Sequence, residues 1–235
     1  MRLLLFDIDG TLINSSRIGR TALDRALLDV FGTAGSLETY EFAGKTDRRI
    51  VHDLMTAEGW SAEEIEVRLP ALDERMAAAG QALFTPETIW ACPGVPALLE
   101  SLGRRNDVVV SLLTGNIRHT VPLKLAAAGI DAKRFVSGAF GSDSLNRDEL
   151  FEIALDRVHE ATGYRFRGDD IVIIGDTPAD IQCARSGGGR VIAGATGPYR
   201  VETLGRHQPD HLFSDLSRTE EVLQALGQPA EMMGK

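Results

Sequence analysis

Leu3, Leu4, Leu5 and Phe6 form an unbroken apolar run, and Asp7-Ile8-Asp9-Gly10-Thr11-Leu12 follows without a spacer. A short apolar run with no polar alternation reads as a strand buried on both faces. Side chains alternate along a strand, so Asp7 and Asp9 share one side while that geometry persists. Two like charges at the end of a buried strand cost free energy unless a cation or a shared proton relieves them. Asp-Gly is also a common turn pair, and a solvated turn is the plainer reading of these residues alone.

Two later stretches weigh against the plainer reading. Val108 to Leu113 is a β-branched, buried strand closed by Thr114-Gly115-Asn116. Ile171 to Ile174 is another, followed by Gly175-Asp176-Thr177-Pro178-Ala179-Asp180. Before, between and after them the periodicity predicts helices over 94–102, 118–128, 148–161 and 219–226, a short helix before the Gly187-Gly188-Gly189 break, a weak strand over 135–140, and strands over 190–193 and 211–213. Strands alternating with helices predict an α/β fold with a parallel sheet covered on both faces. Parallel strands bring all three polar clusters to one rim, where open α/β sheets bind ligands.

Aspartates gathered there repel one another without a hard cation. Oxygen donors with no Cys/His cluster suit Mg²⁺, and Mg²⁺ pairs naturally with phosphate. Thr114, with the backbone N–H groups of Gly115 and Gly10, offers donors for phosphate oxygens, although Thr114-Gly115-Asn116 alone is equally an ordinary strand-to-helix turn. Asp180 has a second reading too. Thr177 suits an N-cap, Pro178 the first helical position, and an acid the first turn.

Residues 15 to about 89 carry no convincing strand. Ala22, Leu23, Ala26, Leu27, Val30 and Phe31 recur at helical spacing up to Gly32, a second helix runs from Ile50 toward Gly59, and Ser61 with Glu64 makes a capping box for a third. Pro70 is expected to kink or divide that third helix. The predicted division is a core of residues 1–14 and 90–235 with a helical cap of 15–89. The tail Met232-Met233-Gly234-Lys235 is expected to be loosely held.

A chain of 235 residues can bury a sizeable core. Its net charge of −9 argues against general nucleic-acid binding. Cys92 and Cys183 are too few for a disulfide framework, which predicts a reducing, cytoplasmic setting. No apolar run reaches membrane-spanning length, and the short N-terminal one ends in aspartates, unlike a signal peptide. Protein partners are left open by the sequence.

Phe6-Asp7-Ile8-Asp9-Gly10-Thr11-Leu12, Leu113-Thr114-Gly115-Asn116 and Ile174-Gly175-Asp176-Thr177-Pro178-Ala179-Asp180 resemble motifs I, II and IV of the haloacid dehalogenase-like hydrolase superfamily. The likeness is greatest to its phosphoglycolate phosphatase-like and β-phosphoglucomutase-like members and covers the whole chain. It implies a Rossmann-like core with a helical cap, and Mg²⁺-dependent phosphoryl transfer through an aspartyl-phosphate. By that resemblance Asp7 is the nucleophile and Asp9 the general acid/base. Asp7, the backbone carbonyl of Asp9 and Asp176 hold Mg²⁺, with Asp180 in support. Gly10, Thr11, Gly115 and Asn116 belong with Thr114 to the phosphate site. Dehalogenase members lack the second aspartate, so Asp9 favours phosphate chemistry.

The chain departs from the pattern at motif III, where relatives carry a lysine and this sequence has Asn146-Arg147-Asp148-Glu149. Arg147 is the first candidate for the cation beside Asp7. Lys124 is its competitor, expected farther from the rim because it would lie two turns into its helix. Gly44-Lys45-Thr46-Asp47-Arg48-Arg49 matches a cap loop that selects substrate in the resembling enzymes, so Lys45 and Arg48 are candidates to meet an anionic substrate; a polar inter-helix loop is the alternative. Three functions are open: a phosphatase of a small phosphorylated metabolite such as phosphoglycolate, a β-phosphoglucomutase-like phosphotransferase, or a non-catalytic binding protein on this scaffold.

Overall fold

Strand β1 (Arg2–Phe6) lies inside a six-stranded parallel sheet in the computed structural model, which describes residues 1–227. Its alternate side chains feed two apolar clusters, Leu4 and Phe6 on one face and Leu3 and Leu5 on the other. That is why the run carries no polar residue. The expectation for Met232 to Lys235 lies outside the described residues.

The chain leaves β1 through the aspartate-containing turn into β2 (Ile13–Ser15), then α1 (Ile18–Phe31), α2 (Asp47–Ala57) and α3 (Ala62–Leu83), and returns through β3 (Ile89–Ala91). β2 and β3 pair antiparallel, Ile13 with Ala91 and Ser15 with Ile89. The expectation of a strand-free 15–89 therefore fails at both ends, where each three-residue strand is too short to show a period. Ile50, Leu54, Leu69 and Met76 of the helical block join the same apolar cluster as Leu4, Phe6 and Ile8. α3 has the expected capping box between Ser61 and Glu64. It also runs unbroken through Pro70, against expectation; Leu69, Leu72 and Met76 are buried around the proline, and this packing offsets the lost hydrogen bond.

The rest alternates as predicted, with one addition, the short α8, for which no helix was expected: α4 (Val95–Gly103), β4 (Val108–Leu113), α5 (Val121–Ala127), β5 (Gly138–Ala139), α6 (Glu149–Thr162), β6 (Ile171–Gly175), α7 (Pro178–Ser186), β7 (Arg190–Gly194), α8 (Val201–Gly205), β8 (His211–Phe213) and α9 (Thr219–Gly227). The strand expected over 135–140 shrinks to β5, two residues at the sheet edge beside Leu112 and Leu113. The sheet order is β5-β4-β1-β6-β7-β8. Successive strands step outward from β1 on one side and then on the other, so the order reverses at β1. The C-terminal ends of β4, β1 and β6 meet at this switch point, where such sheets leave a crevice.

Candidate active site

Asp7 continues the β1 ladder by donating its N–H to Ile174 O at 2.9 Å. Its carboxylate thereby points off the rim beside Asp176, at the end of β6. One oxygen from each of Asp7, Asp176 and Asp180 lies within 4.8 Å of the others, and all three residues are buried. Burial is the main force raising the proton affinity of Asp7 and Asp176. It lifts Asp7 to about 6 against the pull of Arg147, with Asp180 adding to the rise. It also lifts Asp176 well above the usual carboxylate range, reinforced by Asp180 and Asp7.

Arg147 is the cation of this cluster. Its Nη2 lies 2.5 Å from Asp180 Oδ1 and 3.3 Å from Asp7 Oδ1. Burial alone would weaken its hold on a proton, but Asp180 and Asp7 reverse that and push its pKa up. Asp180 also serves as the capping-box acid of α7. Its Oδ2 accepts from the N–H groups of Asp176 and Thr177 and from the Thr177 hydroxyl. Both of its oxygens are thus committed, so it acts from behind the rim. Asp176 differs. Its Oδ1 accepts from the Thr11 hydroxyl at 2.9 Å, while its Oδ2 is buried with no hydrogen-bond partner.

That orphaned oxygen beside a second buried carboxylate, with one guanidinium shared among three acids, is a site short of positive charge. An all-oxygen donor set fits a hard divalent cation such as Mg²⁺. Asp7 and Asp176 are the residues best placed to hold it. Asp9 does not bring its carboxylate to this cluster. Its side chain, 44% exposed, faces Lys124 Nζ at 2.7 and 2.9 Å and accepts from Asn116 Nδ2 at 2.6 Å.

Lys124 corrects the sequence reading. The helix expected from Arg118 begins at Val121, so Lys124 is its fourth residue and stands at the rim. The structure thus brings both candidate cations to the site and divides them: Arg147 beside Asp7, Lys124 beside Asp9. The two threonines differ in what their hydroxyls do. Thr11 donates its hydroxyl to Asp176, while Thr114, fully buried, uses its Oγ1 as an acceptor from the backbone and side-chain nitrogens of Asn116, bonds that leave its own O–H as a donor. Gly10 takes φ +85, and a Cβ there would lie 2.3 Å from Asp176 Oδ2, so no other residue type fits.

A cavity of about 720 Å³ opens above Asp7, Asp9, Gly10, Gly115, Asn116 and Asp176, with the helical block as its opposite wall. The loop before α2 is stitched to the strand ends. Asp47 N–H donates to Gly115 O at 2.7 Å, Asp47 Oδ2 accepts from Ile117 N–H at 2.8 Å, and a Cβ on Gly115 would strike Lys45 O. Asp47 is pushed up to about 6 by burial, against the attraction of Lys124. Lys45 lines the cavity, its Nζ 2.8 Å from Tyr40 Oη. Arg48 does not line it and instead acts on Asp73 of α3, because the start of α2 turns it toward that helix. Sequence reasoning gave no site role to Asp47, Arg17 or Arg20, which also line the cavity. Their placement depends on how the helical block docks, and no local pattern records it.

The sequence model of the family described as haloacid dehalogenase-like hydrolase matches residues 4–185. The chain is similar to phosphoglycolate phosphatase 1 of Pseudomonas aeruginosa, 27% identical over 241 residues that cover 99% of this chain and 82% of that protein. Its fold is similar to a hydrolase from Pseudomonas syringae, with TM-score 0.70, 23% identity, and coverage of 95% and 98% of the two chains. It is likewise similar to CbbY from Rhodobacter sphaeroides, solved in complex with phosphate, with TM-score 0.71, 18% identity, and coverage of 97% and 100%. No helix among the described residues is long and apolar enough to cross a membrane.

Proposed function

We propose, from the premise that this chain belongs to the haloacid dehalogenase-like hydrolase family, that it is a Mg²⁺-dependent phosphatase of a small phosphorylated metabolite, with residues 15–89 as its substrate-selecting cap. The observation that carries this reading is the buried meeting of Asp7 and Asp176, with Asp176 Oδ2 unpartnered, on the floor of a large cavity. Phosphoglycolate is the first substrate to try, because the P. aeruginosa relative bears that name.

When bound, the metal supplies positive charge to offset the phosphoryl oxygens and Asp7. The chain's own residues do the rest. An Asp7 oxygen forms a bond to phosphorus as the bond from phosphorus to the leaving oxygen breaks. Asp9, held by Lys124 and Asn116 yet open to the cavity, gives that oxygen its proton. A water then attacks the phospho-aspartate, Asp9 takes the water's proton, and phosphate leaves with Asp7 restored. Arg147 keeps Asp7 oriented and offsets charge on the transferring group. The backbone N–H of Gly115 is the candidate for the phosphate oxygens; that of Gly10, expected to share this part, is instead donated to Ile13 O at 2.7 Å, and the Thr11 hydroxyl to Asp176.

The test is phosphate release from phosphoglycolate, sugar phosphates and nucleotides with Mg²⁺ present. Label from a phosphoryl-labelled substrate is expected on the acid-quenched protein and absent from Asp7→Asn. No release from any substrate, with no labelled protein, would leave the non-catalytic reading in its place.

A further inference from the structure

Two glycines far apart in the chain crowd the same atom. A Cβ on Gly10 would lie 2.3 Å from Asp176 Oδ2, and a Cβ on Gly197 would lie 1.7 Å from it. That oxygen is the one left buried without a hydrogen-bond partner. The two glycines are required for different reasons. Gly10 takes φ +85, which by itself favours glycine, whereas Gly197 does not have a positive φ. The backbone at Gly197 suits any residue type, so the nearness of Asp176 is what excludes a side chain there.

Gly197 lies in the segment 195–199 that follows β7, and no motif read in the sequence marks it. Gly197, Pro198 and Tyr199 line the catalytic cavity. The segment is bonded on three sides. The Ala195 N–H donates to Phe213 O of β8 at 2.9 Å. The Thr196 hydroxyl donates to Gly10 O in the turn after β1, and Thr196 O accepts from Asn14 Nδ2 of β2 at 2.9 Å. The Gly10 N–H is in turn donated to Ile13 O at 2.7 Å, so the turn that receives Thr196 is itself braced. These bonds set how closely Gly197 approaches Asp176.

The clearance matters because of what Asp176 has left to offer. Its Oδ1 accepts from the Thr11 hydroxyl, so Oδ2 is its open ligand atom. Bonds from oxygen to Mg²⁺ are about 2.0–2.1 Å long, and the octahedral geometry tolerates little displacement. A methyl group 1.7 Å from Oδ2 would occupy the ion's place or turn the carboxylate away from Asp7. Groups behind the ligands hold them in register, and losing one weakens metal binding.

We propose that the segment after β7 is a further part of the metal site: Gly197 sets the clearance over Asp176 Oδ2, and Thr196 keeps that clearance by tying the segment to Gly10. Both are positioning residues that act on the ion through Asp176. This rests on the metal-dependent reading, but its tests measure binding and stability instead of turnover. In titration calorimetry of the full chain with Mg²⁺, Gly197→Ala is expected to raise the dissociation constant about 10- to 100-fold, and Thr196→Val about tenfold. Thr196→Ser, which keeps the hydroxyl, should stay close to the wild type. Gly194→Ala, where a Cβ would meet nothing nearer than 3.6 Å, is the control from the same stretch and should bind as the wild type does. The Thr196 pair keeps the test decisive if Gly197→Ala does not fold.

Melting in EDTA gives a second reading that needs no metal. Gly197→Ala should lower the melting temperature of the wild type, and lower it much less in an Asp176→Ala background, where the oxygens it would strike are gone. Equal losses in both backgrounds, or Mg²⁺ binding by Gly197→Ala and Thr196→Val that matches the wild type, would overturn the assignment. A wild type that binds no Mg²⁺ would overturn it together with the metal-dependent reading. Absent phosphate release with this pattern of binding intact would overturn the phosphatase reading alone.

Discussion

The floor of the cavity and the wall facing it are opposite in charge and in how that charge is held. On the floor Asp7, Asp9, Asp176 and Asp180 outnumber Arg147 and Lys124, and both cations are engaged by carboxylates. On the wall Arg20 and Lys45 are held by carbonyls and by a phenol, and Arg17 has no carboxylate at ion-pair distance among the described residues. Under the proposed function a divalent ion would offset the floor's deficit of positive charge, and an anionic substrate would offset the deficit of negative charge on a wall whose lining carboxylates are Glu41 and Asp47. An anionic substrate carried with a divalent ion answers both deficits. Neither surface alone would specify that pairing.

The strongest way to break the comparison is to remove the floor's nucleophile. Asp7→Asn is expected to lower turnover by about 10⁴-fold or more while leaving the circular dichroism spectrum unchanged, because a neutral amide relieves the crowding of acids. Near-normal phosphate release by this variant would refute the nucleophile assignment. The second test separates the two cations. Arg147→Ala leaves buried acids without their shared guanidinium and should cost about 3–5 kcal/mol of stability, with turnover down about 10²–10³-fold. Lys124→Ala acts on a partly exposed Asp9 that Asn116 still holds, and a loss of about 10–100-fold is expected. The reverse ranking in phosphate-release assays would move the main charge-stabilising role to Lys124.

Removing the metal probes the floor's deficit more gently. Asp7 and Asp176 have folded-state proton affinities raised above those of an unfolded chain, so the metal-free fold binds more protons than the unfolded state. The Asp7 contribution to stability is therefore full below about pH 4 and is lost as pH rises through about 6, and that of Asp176 is lost in the same direction as pH rises. Melting measured in EDTA should fall by about 5 °C between pH 5 and pH 7.5 from this source. Mg²⁺ should restore most of it, so the gap between the two curves widens with pH. A gap constant across that range would argue that these carboxylates do not hold the ion.

The same contrast explains what could be read from the chain. The floor was legible because each part is local: an apolar run sets a strand, the next residue starts its polar end, and parallel packing brings Asp7, Thr114 and Asp176 to one rim. Arg147 was legible for the same reason, since it falls where the α6 pattern begins. Lys124 was misplaced because the helix starts at Val121, three residues after its pattern suggests, with Thr120 bonded back to Ile117. The wall was barely legible. Lys45 carried a signal through its loop, but Arg48, three residues on, faces away because α2 has already begun at Asp47. Arg17 and Arg20 look like ordinary surface charge until α1 is docked over the rim.

The smallest effect should come from Asp47, where floor and wall touch. Its N–H and carboxylate tie the helical block to Gly115 and Ile117, and it stands near Lys124 and Asp9. Burial raises its pKa to about 6, so its ionised form costs stability at neutral pH and its protonated form does not. Asp47→Asn keeps an oxygen for the Ile117 N–H and removes the charge. The variant should therefore be more stable at pH 7.5 by about 1 kcal/mol after allowing for solvent screening of a half-buried group, which is about 2–4 °C in melting temperature for a chain of this size. The advantage should shrink as pH falls through 6 and vanish near pH 4, where the native carboxyl is neutral too. A destabilised variant at every pH would mean that the carboxylate's charge, and not only its bond to Ile117, holds the helical wall over the floor.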